Sequence, residues 1–166
     1  MTCIIGLKQD DCIYMGADSA IGVYGLVVQG LDKIKRFKNC LIGFSGLKSV
    51  QNLMEERSSL FDGDWSVGHL NDIWRSLAEC TPSGNDSEML IAAGSNLYWM
   101  GNHGSHRFIY EEFETIGSGA QIAKGAMEAL ADVIQDPEQR IMKSLEITAR
   151  FCNGVSEPFY VEKFEA

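Results

Sequence analysis

The chain has 166 residues, 45% of them hydrophobic and 22% charged, which suits one domain spanning 1–166 with a core of its own. Its net charge of −9 argues against a nucleic-acid or anionic-lipid surface, since both are held by clustered Lys and Arg. The five cysteines (Cys3, Cys12, Cys40, Cys80 and Cys152) are odd in number and form no CxxC pair, so they read as reduced thiols of a cytoplasmic protein. No apolar run approaches the ~18 residues of a membrane span, and no signal peptide is visible at the N-terminus.

In chain order, residues 2–8 and 12–18 are apolar runs around Gln9-Asp10-Asp11, the pattern of a β-hairpin. The Gly-containing stretch 19–30 reads as a loop with a short strand at 26–28. A second strand pair, Lys33–Phe37 and Cys40–Phe44, turns at Lys38-Asn39. After Gly46 the period changes to that of a helix. Val50, Leu53 and Met54 mark one helix to about Leu60, and Val67, Leu70, Trp74 and Leu77 a second.

Three strands follow the polar turn at 81–86: Met89–Ala93, Leu97–Met100 and Arg107–Thr115. Ile122, Met127, Leu130 and Ile134 give the next helical face. Asp136-Pro137-Glu138-Gln139 opens another helix, with Asp136 as N-cap and Pro137 at the first position. Its stripe is Ile141, Leu145, Thr148 and Cys152, and Gly154 is the expected stop. A last strand begins at Pro158. Strand groups separated by helix pairs imply an α+β fold of antiparallel sheets covered by helices, and two stacked sheets between two helical layers would bury every apolar face.

Five short segments, in register along almost the whole chain, resemble the proteasome β-subunit and HslV peptidase superfamily, the threonine-type N-terminal nucleophile hydrolases. They are Thr2-Cys3-Ile4-Ile5-Gly6-Leu7, Gly16-Ala17-Asp18-Ser19, Asp32-Lys33-Ile34, Leu41-Ile42-Gly43-Phe44-Ser45-Gly46 and Thr115-Ile116-Gly117-Ser118-Gly119. The size, with only Met1 before Thr2, looks closer to HslV than to most proteasome β-subunits. Arg150 stands where those families carry an Asp late in the last long helix, and the ending 154–159 also departs from the HslV pattern. A divergent branch is therefore expected.

The resemblance implies a four-layer αββα fold and a catalytic set of Thr2, Asp18, Lys33, Gly46 and Ser118. Removal of Met1 would put a hydroxyl and a free α-amine on Thr2. A Thr hydroxyl needs a base, and an α-amine, with a reference pKa of about 7.7–8, is near the value a base needs at cytosolic pH. Lys33 would keep that amine neutral and favour the developing alkoxide. Asp18 would hold Lys33, paired across a sheet. Gly46 would present its N–H to the oxyanion, and Ser118 would relay the amine's proton. The plainer alternatives are a strand-start threonine, a solvated strand-edge lysine, a turn-capping aspartate, a turn glycine and a helix N-cap serine.

The implied function is a threonine endopeptidase acting on polypeptides within a homo-oligomeric ring or related assembly. An ATP-dependent unfoldase is an implied partner; nucleic acid and membrane are not. The alternatives are an inactive proteasome-like assembly subunit and a small-molecule amidase on the same fold. No cofactor is expected. Gly117-Ser118-Gly119 lacks the third glycine of a dinucleotide loop, since Ile122 stands there. His103 and His106 have no carboxylate or Cys close by in sequence, so metal binding is not expected.

Overall fold

The computed structural model describes residues 2–23, 26–28, 32–78, 87–101 and 104–165. The expected N-terminal hairpin is β1 (Ile4–Gln9) and β2 (Cys12–Ala17), paired from Ile4↔Ala17 to Gln9↔Cys12. Its two-residue turn places Asp10 and Asp11 at φ 52° and 58°, the doubly left-handed backbone that fits the right-handed twist of flanking strands. Asp tolerates this region better than most residues. A short hairpin follows, β3 (Ile21–Val23) and β4 (Leu26–Val28). Next come β5 (Ile34–Arg36) and β6 (Cys40–Ser45), then helices α1 (Lys48–Glu56) and α2 (Val67–Ala78), with a 3-10 turn at Ser58–Phe61 between them. The second half contains β7 (Glu88–Ala93), β8 (Asn96–Met100), β9 (His106–Phe108), β10 (Phe113–Ile116), α3 (Ala120–Leu130), α4 (Pro137–Phe151) and β11 (Tyr160–Glu165).

The strands form a four-stranded sheet, β10-β1-β2-β11, and a five-stranded sheet, β5-β6-β7-β8-β9, both antiparallel. Alternation along β1 and β6 shows how they stack. Ile4 faces a core shared with Leu41, Leu90 and Leu97 of the other sheet, while Cys3 and Ile5 face α3 and α4 with Met127, Ile141 and Leu145. Cys40, Ile42 and Phe44 turn outward to α1 and α2, against Met54, Leu70 and Ile73. The layers are α1/α2, five-stranded sheet, four-stranded sheet, α3/α4: the expected αββα sandwich. Both faces of the central strands are covered, so their sequences read as continuous apolar runs. Gly43 lets the sheets close, since a Cβ there would sit 2.6 Å from Ile4 Cγ2 and 2.7 Å from Met15 Sδ.

Three expectations are corrected. The strand expected over Arg107–Thr115 is two strands in different sheets. β9 pairs with β8 and β10 with β1. The chain crosses between them, with Ile109 N–H bonded to Leu97 O at 2.9 Å and Lys8 N–H to Glu112 O at 2.8 Å. The crossing carries no Gly or Pro, only Glu111-Glu112 between Tyr110 and Phe113, so no strong turn signal marks it in the sequence. In α2 the buried face is Leu70, Ile73 and Leu77; Val67, in the first turn, is 66% exposed. Helix α4 ends at Phe151, before Gly154. Its start is as expected: Asp136 Oδ1 accepts from Gln139 N–H at 2.8 Å, with Pro137 at the first position. Among the described residues no helix is long and apolar enough to cross a membrane. Cys80, His103 and the turn at 81–86 lie outside them.

Candidate active site

Thr2 lies just ahead of β1 and is 5% exposed. Pairing of Ile4 with Ile116 carries the next residues, Gly117-Ser118-Gly119, alongside it. Thr2 N–H donates to Ser118 Oγ at 3.1 Å, and Ser118 Oγ–H donates back to Thr2 O at 3.3 Å. Gly119 N–H also donates to Thr2 O, at 3.1 Å. Gly117 has φ 89°, and a Cβ there would be 2.5 Å from Thr2 O. Both its left-handed backbone and its contact with Thr2 require glycine. Ser118 makes no N-cap hydrogen bond; Gly119 is the cap position of α3.

Asp18 follows β2 and Lys33 precedes β5. Both are buried, with Lys33 Nζ 2.7 Å from Asp18 Oδ1. The carboxylate is saturated: Oδ1 also accepts Cys3 N–H at 2.7 Å, and Oδ2 accepts Ala20 N–H at 3.0 Å and Ser156 N–H at 3.4 Å. Asp18 thus grips Lys33 and the residue after Thr2 through one oxygen. The expectation of a pair within one sheet is corrected here. β2 belongs to the four-stranded sheet and β5 to the five-stranded one, so the bridge joins the two sheets face to face.

Burial pulls the Lys33 ammonium below its ordinary value, while Asp18 works against that pull. The Lys33 backbone is pinned from β11. Tyr160 Oη accepts both Lys33 N–H and Ile34 N–H, the latter at 3.1 Å. Burial, seconded by Asp18, pushes the Cys3 thiol up to about 12, so it stays protonated at neutral pH.

Gly46 directly follows Ser45, the last residue of β6, and is exposed. A Cβ on Gly46 would fall 2.4 Å from Ser87 Oγ and 2.7 Å from Phe44 Cζ. Ser45 Oγ lies 3.1 Å from where a Gly117 Cβ would be, so this strand end adjoins the turn that holds Thr2.

Hydrogen bonds thus bring Thr2, Asp18, Lys33 and Ser118 together around Cys3, and Gly46 stands at the neighbouring strand end. Arg150 is exposed on α4 and lines a shallow pocket with Glu146, Ser156 and Glu157. Glu146 pairs with Lys143 at 2.8 Å, and the segment beyond α4 reaches Asp18 through the Ser156 backbone instead. Cys3 N–H, Ser156 N–H and Tyr160 join the site without being among the residues that the sequence motifs single out for it. Two of these act through backbone groups that residue identity does not reveal. His106 Nδ1 sits 2.9 Å from Gly104 O, and among the described residues no group of three His, Cys, Asp or Glu could hold a metal ion.

Known structures share this architecture over nearly the whole chain. A Thiobacillus denitrificans BPH chain in complex with epoxomicin superposes with a TM-score of 0.83 at 18% identity, covering 98% of each chain. Eukaryotic HslV from Trypanosoma brucei gives 0.78 at 20% identity, covering 99% of each. The fold is the HslV and proteasome-like fold. A Gly-1 mutant of Anbu from a Hyphomicrobium strain gives 0.77 at 13% identity, over 99% of this chain and 82% of that one. The HslV-like fold is therefore carried here on a sequence at most 20% identical to these three. No protein-family model matches the sequence, and no curated protein matches it significantly.

Proposed function

We propose that this chain is an N-terminal threonine peptidase. The observation that carries the reading is the Thr2 nitrogen at 3.1 Å from Ser118 Oγ, beside a buried Asp18–Lys33 pair that also holds Cys3. Attached to Met1, that nitrogen is an amide and cannot act as a base. As a free amine it takes the proton from Thr2 Oγ, which attacks the scissile carbonyl to give an acyl-enzyme ester. Lys33 lowers the cost of the alkoxide and disfavours protonation of the amine. Gly46 N–H receives the oxyanion. Ser118 returns the proton to the leaving amine, and water activated by the Thr2 amine then hydrolyses the ester.

The likeness to a chain that binds epoxomicin, and to HslV, supports a polypeptide substrate. On this reading the protein assembles as a ring or related homo-oligomer that encloses its sites, in the cytoplasm, fed by an ATP-dependent unfoldase. Hydrolysis of a fluorogenic peptide by chain that begins at Thr2 tests the activity; turnover equal to that of Thr2→Ala contradicts it. Light scattering tests the assembly, and a stable monomer favours a small-molecule amidase. Arg150, in place of the family's Asp, favours one second reading, an assembly subunit without turnover. The same peptide assay separates the two.

A further inference from the structure

The candidate site is divided between the two sheets. Thr2 leads into β1 of the four-stranded sheet, whereas Gly46 directly follows β6 of the five-stranded sheet. Nucleophile and oxyanion donor must act on opposite ends of one carbonyl, so their separation decides whether acylation occurs. Asp18–Lys33 joins the sheets at one place. A second tie is Glu88, the first residue of β7 and the register partner of Ser45. Glu88 Oε2 accepts Gly117 N–H at 3.2 Å, and Oε1 accepts Trp99 Nε1–H at 3.3 Å.

Both ends of this link are anchored. The Gly117–Gly119 turn holds Thr2 by three hydrogen bonds. The Trp99 ring is faced by Arg107 at 5.8 Å, and Arg107 is itself paired with the buried Glu114. Two N–H donors converge on Glu88, and a carboxylate supplies an acceptor oxygen to each. A glutamine supplies one, with its NH2 turned toward the other donor. A neutral apolar side chain leaves both donors unmatched.

We propose that Glu88 is a positioning residue: it fixes the Gly117–Gly119 turn, and through it Thr2, at a set distance from the Gly46 N–H. Its effect on turnover rests on the peptidase reading above; its hold on the turn does not. Kinetics of Glu88→Ala and Glu88→Gln, in chain beginning at Thr2, test the first part. The expected result is a kcat reduced on the order of 10²-fold in Glu88→Ala, the scale of a small misplacement of a reacting group. KM stays within about two-fold, because no substrate contact is removed. Glu88→Gln, which keeps the side chain's size and one acceptor, falls between wild type and Glu88→Ala.

Amide hydrogen exchange at residues 117–119, compared with the centre of β1, tests the second part. Exchange faster than wild type at the turn in both variants, with β1 unchanged, is expected. An unchanged kcat in Glu88→Ala, or a raised KM with kcat intact, overturns the positioning role. Unchanged exchange at Gly117 overturns the hold itself. If wild type beginning at Thr2 hydrolyses no peptide, the peptidase reading fails, and the exchange rates alone decide whether Glu88 holds the turn.

Discussion

Asp18 and Lys33 stand on different sheets, yet their side chains meet at 2.7 Å with both groups buried. The bridge therefore fixes where the β2 end and the β5 start lie relative to each other. Asp18 also bonds Cys3 N–H, so the placement of Thr2 depends on a contact between sheets rather than on its own strand alone.

Lys33 and Lys35 carry the same charge two residues apart with different consequences. Lys35 pairs at the surface with Asp32 at 3.3 Å and Glu55 at 3.1 Å. Lys33→Ala should reduce peptide turnover by on the order of 10²-fold or more, the scale of a lost transition-state electrostatic contact. It should also cost about 3–5 kcal/mol of stability, because Asp18 remains buried without its cation. Lys35→Ala should change stability by less than about 1 kcal/mol and leave turnover near wild type. Kinetics and denaturant titrations of both variants check this; equal losses contradict it.

Gly117→Ala should disturb Thr2 directly. The added Cβ meets Thr2 O at 2.5 Å and must adopt φ 89°. Strain of this kind costs about 1–3 kcal/mol, and relief comes only by shifting the turn away from Thr2. Expected are a lowered thermal midpoint and a loss of turnover larger than that of Gly94→Ala. Gly94 also has positive φ, but a Cβ there meets nothing within 4 Å.

Cys3 should be inert in the folded protein despite its place beside Thr2. Its thiol is fully buried and pushed up to about 12, so the reactive thiolate is scarce at pH 8. Alkylation followed by peptide mapping should mark the half-buried Cys12 and Cys152 well before Cys3. Rapid labelling of Cys3 in native protein contradicts the geometry.

Glu114 should give the fold an acid-sensitive tie. Burial raises its pKa, but Thr115 N–H, Lys124 and Arg107 outweigh burial and leave it below the ordinary 4.5. A lowered carboxylate pKa stabilises the fold fully above 4.5, and that contribution disappears as pH falls through the lowered value. Glu114→Gln should therefore melt below wild type at pH 7, and the gap should close under acid conditions. Thermal scans of both proteins from pH 7 to pH 3 test this; a gap constant with pH contradicts it.

The elements legible in the sequence are those whose apolar runs end in strong turn or cap signals, such as the Asp10–Asp11 hairpin and the Asp136–Pro137 helix start. The split between β9 and β10 is hidden because only Glu111-Glu112 separates the apolar Phe108-Ile109-Tyr110 from Phe113, with no Gly or Pro to mark the change of sheet. The candidate residues Thr2, Asp18, Lys33, Gly46 and Ser118 were visible as short motifs. Their arrangement was not, because alternation gives the face of a strand and not the sheet it joins. Glu88, Tyr160 and Ser156 carried no motif. Each acts on, or through, a backbone N–H whose position only the folded chain defines.

The central claim is that Thr2 supplies both nucleophile and base. A peptide epoxyketone tests this directly, because the hydroxyl adds to the ketone and a free amine on the same residue opens the epoxide. Chain released so that Thr2 is the first residue should gain one inhibitor mass, mapped to the Thr2 peptide, and lose peptide hydrolysis in parallel. Chain still carrying Met1, and Thr2→Ala, should gain none. An adduct on another residue, or full hydrolysis by chain that is entirely Met1-bearing, contradicts the account.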